Sequence, residues 1–186
     1  MRILTIAGSL RRESFNRRLL QVATDQAEAG IWMKLWEGLR EVPVFDEDAE
    51  AERAPAAVAE LREALRAADA VLIATPEYNG SIPGALKNAL DWASRPYAAN
   101  TLRDKPVAVI GASPSPGGAK GAQDDLRKVL RVIGADVVDV GLAVASVYRR
   151  FDDHLGDPDE PLRHQLREVV HRLATDAATH SLPMAG

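Results

Sequence analysis

The chain lacks cysteine altogether among its 186 residues. That absence excludes disulfides, thiolate zinc sites, iron–sulfur clusters and cysteine nucleophiles. Long apolar runs are missing too, since none approaches the roughly 20 residues that span a bilayer. The opening MRILTIAGSL is soon interrupted by Arg11 and Arg12, so we expect no signal peptide. An excess of basic residues is also absent: the net charge of -4 argues against nucleic acid or an anionic membrane as the main partner. We therefore expect a cytoplasmic protein.

The composition is that of a folded domain. Hydrophobic residues make up 46% and charged residues 27% of the chain, close to the globular average, which argues against global disorder. A chain of 186 residues is long enough for one sizeable core but not comfortably for two. We predict a single domain over 1–177 and a frayed C-terminal tail over 178–186.

Five short apolar runs predict the strands of one sheet, over 2–7, 31–35, 70–75, 106–112 and 137–147. Helices are predicted from Ser14 to a stop at Gly30, from Pro55 onward, after PEYNGSIPG, over 122–133 and over 161–177. Residues 36–54 are predicted to form a long loop. Several strands are apolar without alternation and helices intervene, which favours a parallel sheet that is covered on both faces. We predict an α/β fold, a doubly wound three-layer sandwich.

Three unusual loops, GSLRRESFN, PEYNGSIPG and SPSPGGAKG, follow the predicted first, third and fourth strands. In a doubly wound sheet, ligands bind beyond the carboxyl ends of the strands, where the strand order reverses. All three loops should therefore open on one edge of the sheet and build one site.

GSLRRESFN has the features of an anion site. It lies between a buried strand and the start of a helix, where backbone N–H groups and the helix dipole favour negative charge. Ser9 and Ser14 add hydroxyls, Asn16 adds an amide, and Arg11 adds a planar cation. The loop matches neither a triphosphate nor a dinucleotide fingerprint, so a single terminal phosphate fits best. In the alternative interpretation, Ser14 only caps the helix and the arginines are solvated.

PEYNGSIPG is suited to a flat ring with a polar edge. Tyr78 offers an aromatic face, Asn79–Gly80 favours a left-handed turn that exposes backbone amides, and Pro76 stiffens the path. Glu77 could fix the loop by accepting backbone hydrogen bonds, pair across a subunit contact, or act as a general base. The alternative for the whole stretch is a capped turn before a helix.

SPSPGGAKG offers small residues. Gly117 and Gly118 would let the backbone approach a ring closely, and Ser113 could donate a hydrogen bond. A plain flexible loop is the alternative. We expect no metal site, because the acidic residues between 46 and 52 read as a solvated loop that precedes a helix.

Taken together, the three loops closely resemble those of the NAD(P)H-dependent FMN reductase family, a flavodoxin-like group that includes chromate, quinone and azo-dye reductases. The likeness runs from about residue 2 to 147. It implies a flavodoxin-like three-layer α/β/α sandwich with a five-stranded parallel sheet, FMN as cofactor, NADPH or NADH as co-substrate, and a homodimer or homotetramer. Carried onto this chain, the FMN-binding residues would be Ser9, Arg11, Ser14, Phe15, Asn16, Pro76, Glu77, Tyr78, Asn79, Gly80, Ser113 and Gly117.

The resemblance also implies the reaction. Electrons would pass from NAD(P)H through bound FMN to a small-molecule acceptor: a quinone, a free flavin, an azo compound or a metal oxyanion such as chromate. The flavin carries this chemistry, so we expect no catalytic side chain that acts as an essential proton carrier. Two alternatives stay open, a flavodoxin-type electron-transfer protein without a nicotinamide site and a regulatory FMN-binding protein.

Overall fold

The computed structural model describes residues 1–52, 54–152 and 155–180. Its strands are β1 (Arg2–Ala7), β2 (Trp32–Trp36), β3 (Ala70–Thr75), β4 (Pro106–Ala112) and β5 (Asp136–Val144). They form one parallel sheet in the order β2-β1-β3-β4-β5. This is the flavodoxin-like order, in which the direction of winding reverses between β1 and β3. The predicted α/β fold is confirmed.

Helices cover both faces of the sheet. They are α1 (Phe15–Asp25), α2 (Glu47–Glu52), α3 (Ala56–Ala67), α4 (Gly84–Ala93), α5 (Lys120–Ile133) and α6 (Glu160–His180). Helices α1 and α6 pack on one face, while α3, α4 and α5 pack on the other. None of the helices within the described ranges is long and apolar enough to cross a bilayer.

The two central strands explain why the sheet is so evident in the sequence. Every residue of β3 and β4 is buried, so both faces of these strands select apolar side chains. Leu72 and Ile73 have no exposed surface. Burying each such side chain contributes about 1.5–3 kcal/mol. These strands form the rigid base on which the following loops stand.

Residues 36–54 are not the plain loop that the sequence predicted. They contain a 3-10 turn, Gly38–Glu41, and the short helix α2. Leu39 in the turn is buried in the core beside α3 and α4. Buried Arg62 of α3 lies 3.8 Å from the Glu50 carboxylate and donates to the Trp92 carbonyl at 3.0 Å, which ties α2, α3 and α4 together. These tertiary contacts, rather than local propensity, order the segment.

Three predicted boundaries also move. Helix α1 ends at Asp25 rather than at Gly30, which has a φ of +90° and lies in the turn before β2. Strand β5 ends at Val144, because the Val147 N–H turns back to the Ser113 carbonyl at 3.2 Å. Helix α6 continues to His180, and the rest of the predicted tail, 181–186, lies outside the described residues.

Candidate functional site

The loops after β1, β3 and β4 meet at the carboxyl edge of the sheet, around the reversal in strand order. They enclose a cleft of about 90 Å³. Its walls are Ser9, Arg11, Ser14, Phe15, Asn16, Pro76, Glu77, Tyr78, Ala112, Ser113 and Pro114. Nine of the twelve residues predicted from the sequence line this cleft, whereas Asn79, Gly80 and Gly117 do not.

The loop after β1 is held tightly against β3. The Gly8 N–H donates to the Ala74 carbonyl at 2.8 Å, and a Cβ at Gly8 would come within 2.9 Å of a Leu86 methyl group. Ser14 caps α1, because its hydroxyl accepts from the Arg17 N–H at 3.3 Å. The helix cap that the alternative interpretation assigned to Ser14 is therefore present.

The same loop keeps the chemistry of an anion site. Capping uses a lone pair of the Ser14 hydroxyl, so its proton stays available to a ligand. The buried Ser9 hydroxyl lies nearby, and Arg11 is exposed at the cleft wall. N–H groups in the first turn of a helix have no carbonyl acceptor within that helix, and the dipole makes this end positive. The donors present suit a phosphate group.

The side chain of Asn16 is bonded within the protein. Its side chain is buried, its Oδ1 accepts from the Ala112 N–H at 2.9 Å, and its Nδ2 donates to the Ala112 carbonyl at 3.0 Å. Two of the polar positions of the amide are therefore used to brace the start of α1 against the end of β4. Asn16 fixes the distance between two walls of the cleft.

Phe15 also works through packing. Its ring centroid lies 6.2 Å from that of Tyr148 and 5.7 Å from that of Phe151, and only 8% of the residue is exposed. Both partners come from the segment after β5, in which sequence reasoning found no site. Phe15 thereby fixes the floor of the cleft to that segment.

The loop after β3 forms the predicted left-handed turn. Tyr78 and Ser81 exchange backbone hydrogen bonds of 2.9 and 3.1 Å, and φ is +52° at Asn79 and +78° at Gly80. The turn leaves Asn79 and Gly80 exposed outside the cleft. Buried Pro76 and the Tyr78 ring, which is 45% exposed, stay at its wall and rim.

Glu77 ties this loop to α5. Its Oε2 accepts from the Ala122 N–H at 3.0 Å, which is the first of the roles considered for this carboxylate. Space is tight there, since a Cβ at Gly121 would lie 3.0 Å from the same oxygen. Ser81 adds a second tie by donating to Asp125 at 2.7 Å. The loop is thus fixed at two points on one helix.

Replacing Glu77 with alanine should loosen the loop and weaken FMN binding about fivefold. A partly exposed, charge-assisted hydrogen bond of roughly 1 kcal/mol is lost, which corresponds to that factor. Quenching of FMN fluorescence on titration with the protein measures the dissociation constant. Glu77→Gln, which keeps an oxygen acceptor, should bind FMN more tightly than Glu77→Ala. Equal affinities of all three proteins would contradict the tether.

The Ser113 side chain in the loop after β4 makes its hydrogen bonds within that loop. The Ser113 hydroxyl accepts from the Ser115 N–H at 3.1 Å and lies 3.0 Å from the Ser115 hydroxyl. Gly118, not Gly117, makes the close backbone approach: its φ is +58°, and a Cβ there would lie 2.8 Å from the Ala143 carbonyl carbon. This close approach brings the loop against the end of β5.

The cleft fits part of an FMN molecule. Two buried hydroxyls, an arginine and a helix N-terminus would hold the phosphate, while Pro76, Tyr78 and Pro114 give stiff, partly apolar walls. Because the cleft measures only about 90 Å³, the ring would also need its open rim. In the described part of the chain, no three His, Cys, Asp or Glu side chains gather closely enough to hold a metal ion.

Comparison with known proteins gives one answer. A quinone reductase of Pseudomonas putida is 36% identical, over 93% of this chain and 92% of that protein. An NAD(P)H-dependent FMN reductase of Pseudomonas aeruginosa is 45% identical, over 93% of each chain. The solved structure of FerB, a flavoenzyme NAD(P)H:(acceptor) oxidoreductase from Paracoccus denitrificans, has a TM-score of 0.85 at 34% identity, covering 97% of this chain and 99% of FerB. The family model of NADPH-dependent FMN reductases matches residues 1–148, and the chain belongs to this family of flavin-dependent oxidoreductases.

Proposed function

We propose that this protein reduces quinones with electrons from NAD(P)H, through an FMN held in the cleft between the loops after β1, β3 and β4. The observation that carries the proposal is the convergence of phosphate-binding chemistry at Ser9, Arg11 and Ser14 with a stiff, partly apolar wall at Pro76 and Tyr78. Relatives named quinone reductase support the choice of acceptor.

The residues predicted to bind FMN have different roles. Ser9, Arg11 and Ser14 would bind the phosphate through their side chains. Phe15 and Asn16, whose side chains hold that loop in place, would bind it through backbone N–H groups in the first turn of α1. Residues 76–78 and Ser113 would border the ring. Asn79 and Gly80 would contribute through the shape of their turn, and Gly117, which does not line the cleft, would contact a part of FMN that extends beyond it.

FMN, when bound, supplies the acceptance of hydride and the delivery of electrons. The protein supplies position and electrostatics. Among the residues that line the cleft, Glu77 is the carboxylate, and its oxygen is already bonded to the Ala122 N–H. This arrangement supports the view that no side chain acts as an essential proton carrier. Backbone donors at the cleft would stabilise negative charge on the reduced ring.

The open rim supports a broad choice of acceptors. Tyr78 is 45% exposed beside the cleft, so a second molecule could reach the ring from solvent. We extend the proposal to free flavins, azo compounds and metal oxyanions such as chromate. Initial rates with a quinone, a free flavin, an azo dye and chromate would rank them.

We further propose that the protein forms a homodimer or homotetramer. Val132 is 82% exposed and Tyr97 is 70% exposed, and both line a hollow of about 510 Å³ between α4 and α5, which the loop after β3 borders at Ser81 and Ile82. Large apolar side chains on a rimmed surface are typical of contact sites. Light scattering coupled to gel filtration gives the number of subunits.

The decisive test of function is the visible spectrum. We expect purified protein reconstituted with FMN to show flavin absorbance that NADPH bleaches under nitrogen and that a quinone restores. A flavin band that NADPH leaves unchanged would favour a flavodoxin-type electron-transfer protein. Protein that stays colourless with added FMN would favour a regulatory protein on the same scaffold and would overturn the proposal.

A further inference from the structure

A second, strongly basic hollow lies beside the cleft. It measures about 700 Å³ and sits between the loop after β1 and the segment after β2. Its walls are Ala7, Ser9, Leu10, Arg11, Arg12, Arg17, Trp36, Glu37, Leu39 and Arg40. Four of these residues are arginines and one is a carboxylate, so the hollow is built for an anion.

The four arginines differ in whether a nearby carboxylate compensates their positive charge. Arg17 is paired with Glu37, which neutralises it. Arg40 donates to the Leu10 carbonyl at 2.7 Å, a neutral acceptor that leaves its charge uncompensated. Across the described residues, the Arg11 and Arg12 guanidinium groups have neither a hydrogen-bond nor an ion-pair partner. Three positive charges therefore face the hollow without a counter-charge.

The hollow is continuous with the flavin cleft. Ser9 and Arg11 line both. A third hollow of about 330 Å³ shares Leu10 and Arg11 with the basic hollow and Tyr78 with the cleft. A long molecule can therefore reach from the rim at Tyr78 to the arginines without leaving the surface of one groove.

We propose that Arg12 and Arg40 bind the 2′-phosphate of NADPH and make the enzyme prefer NADPH to NADH. The inference rests on the proposed function, because it assumes a nicotinamide at the flavin. If Arg11 serves the FMN phosphate, two uncompensated arginines remain for a phosphate monoester whose charge is about −1.5 to −2 at pH 7. Guanidinium groups match phosphate oxygens in charge and geometry.

The preferred variant is Arg12→Ala, since this side chain has no partner within the described structure to lose. We expect the ratio of kcat/KM for NADPH to kcat/KM for NADH to fall about tenfold, the size of one charge-assisted hydrogen bond. Arg12→Lys should recover part of the ratio. Arg131→Ala, at an exposed arginine in the last turn of α5, is the matched control and should leave it unchanged.

A binding measurement that needs no turnover completes the test. Calorimetry on the FMN-loaded protein should show adenosine 2′,5′-bisphosphate binding about tenfold more tightly than AMP, and Arg12→Ala should abolish that difference. Equal losses for NADPH and NADH would mean that Arg12 contacts their shared pyrophosphate and would overturn the proposal. An Arg12→Ala variant whose only defect is slower reduction of free FMN would overturn the proposal as well. If the parent protein oxidises neither nucleotide, the proposed function fails, while calorimetry still decides the phosphate site.

Discussion

Replacing Asn16 with alanine should lower the free energy of unfolding by about 2–4 kcal/mol. The change removes two hydrogen bonds, of 2.9 and 3.0 Å, to the backbone of Ala112. Ala112 is only 2% exposed, so its N–H and carbonyl would be left without water as a substitute. An unpaired buried group costs about 1–3 kcal/mol, which sets the size of the effect. FMN affinity should fall too, because the brace between two walls of the cleft is lost.

Urea unfolding of the FMN-free protein measures the first effect, and FMN titration measures the second. Asn100→Ala is a matched control: its amide accepts from the Leu102 N–H at 2.9 Å and donates to the Ile133 carbonyl at 2.7 Å, outside the cleft. It should destabilise the fold without a specific loss of FMN affinity. An Asn16→Ala protein that unfolds at the same urea concentration as the parent would show that the brace contributes nothing.

Replacing Arg11 with alanine should weaken FMN binding by a factor of about 10 to 100. A charge-assisted hydrogen bond to phosphate contributes about 1.5–3 kcal/mol, which gives this range. Arg11 is exposed and its guanidinium has no partner in the described structure, so its loss should leave the unfolding transition nearly unchanged. Fluorescence titration with FMN measures the dissociation constant.

Riboflavin provides the internal control for Arg11, because it has the same ring but no phosphate. The variant should bind riboflavin as the parent does, and Arg11→Lys should retain part of the FMN affinity through its charge. Equal losses for FMN and riboflavin would assign Arg11 to the ring or to the fold. Unchanged FMN affinity would refute the phosphate assignment.

The strands were predictable because consecutive buried residues give uninterrupted apolar runs in the sequence. The apolar runs 2–7, 70–75 and 106–112 coincide with β1, β3 and β4, of which β3 and β4 are buried throughout. Residues 36–54 were mispredicted, because their order depends on distant partners. Leu39 needs the core beside α3, and Glu50 needs Arg62. These contacts with α3 produce no helical or strand periodicity within residues 36–54.

For the candidate site, too, one part was predictable from the sequence and another was not. Topology alone places three loops at one edge, and the resemblance to the FMN reductase family picked out nine of the residues that line the cleft there. The direction in which each side chain points could not be predicted from the sequence. Asn16 turns to Ala112, 96 residues away, and Glu77 turns to Ala122, 45 residues away. The basic hollow was not predictable, because Arg40 comes from the segment 36–54, and no local pattern places this segment beside Arg12.

The bond between Asn16 and Ala112 joins residues 96 positions apart, and this separation leads us to expect an order of assembly during synthesis. A growing polypeptide that has not yet released β4 from the ribosome contains the turn that we propose to bind phosphate, but not the backbone that steadies it. We therefore expect the cofactor to bind late, after more than half of the chain has been translated. Release of a fragment that stops short of β4 should yield a product that FMN cannot rescue.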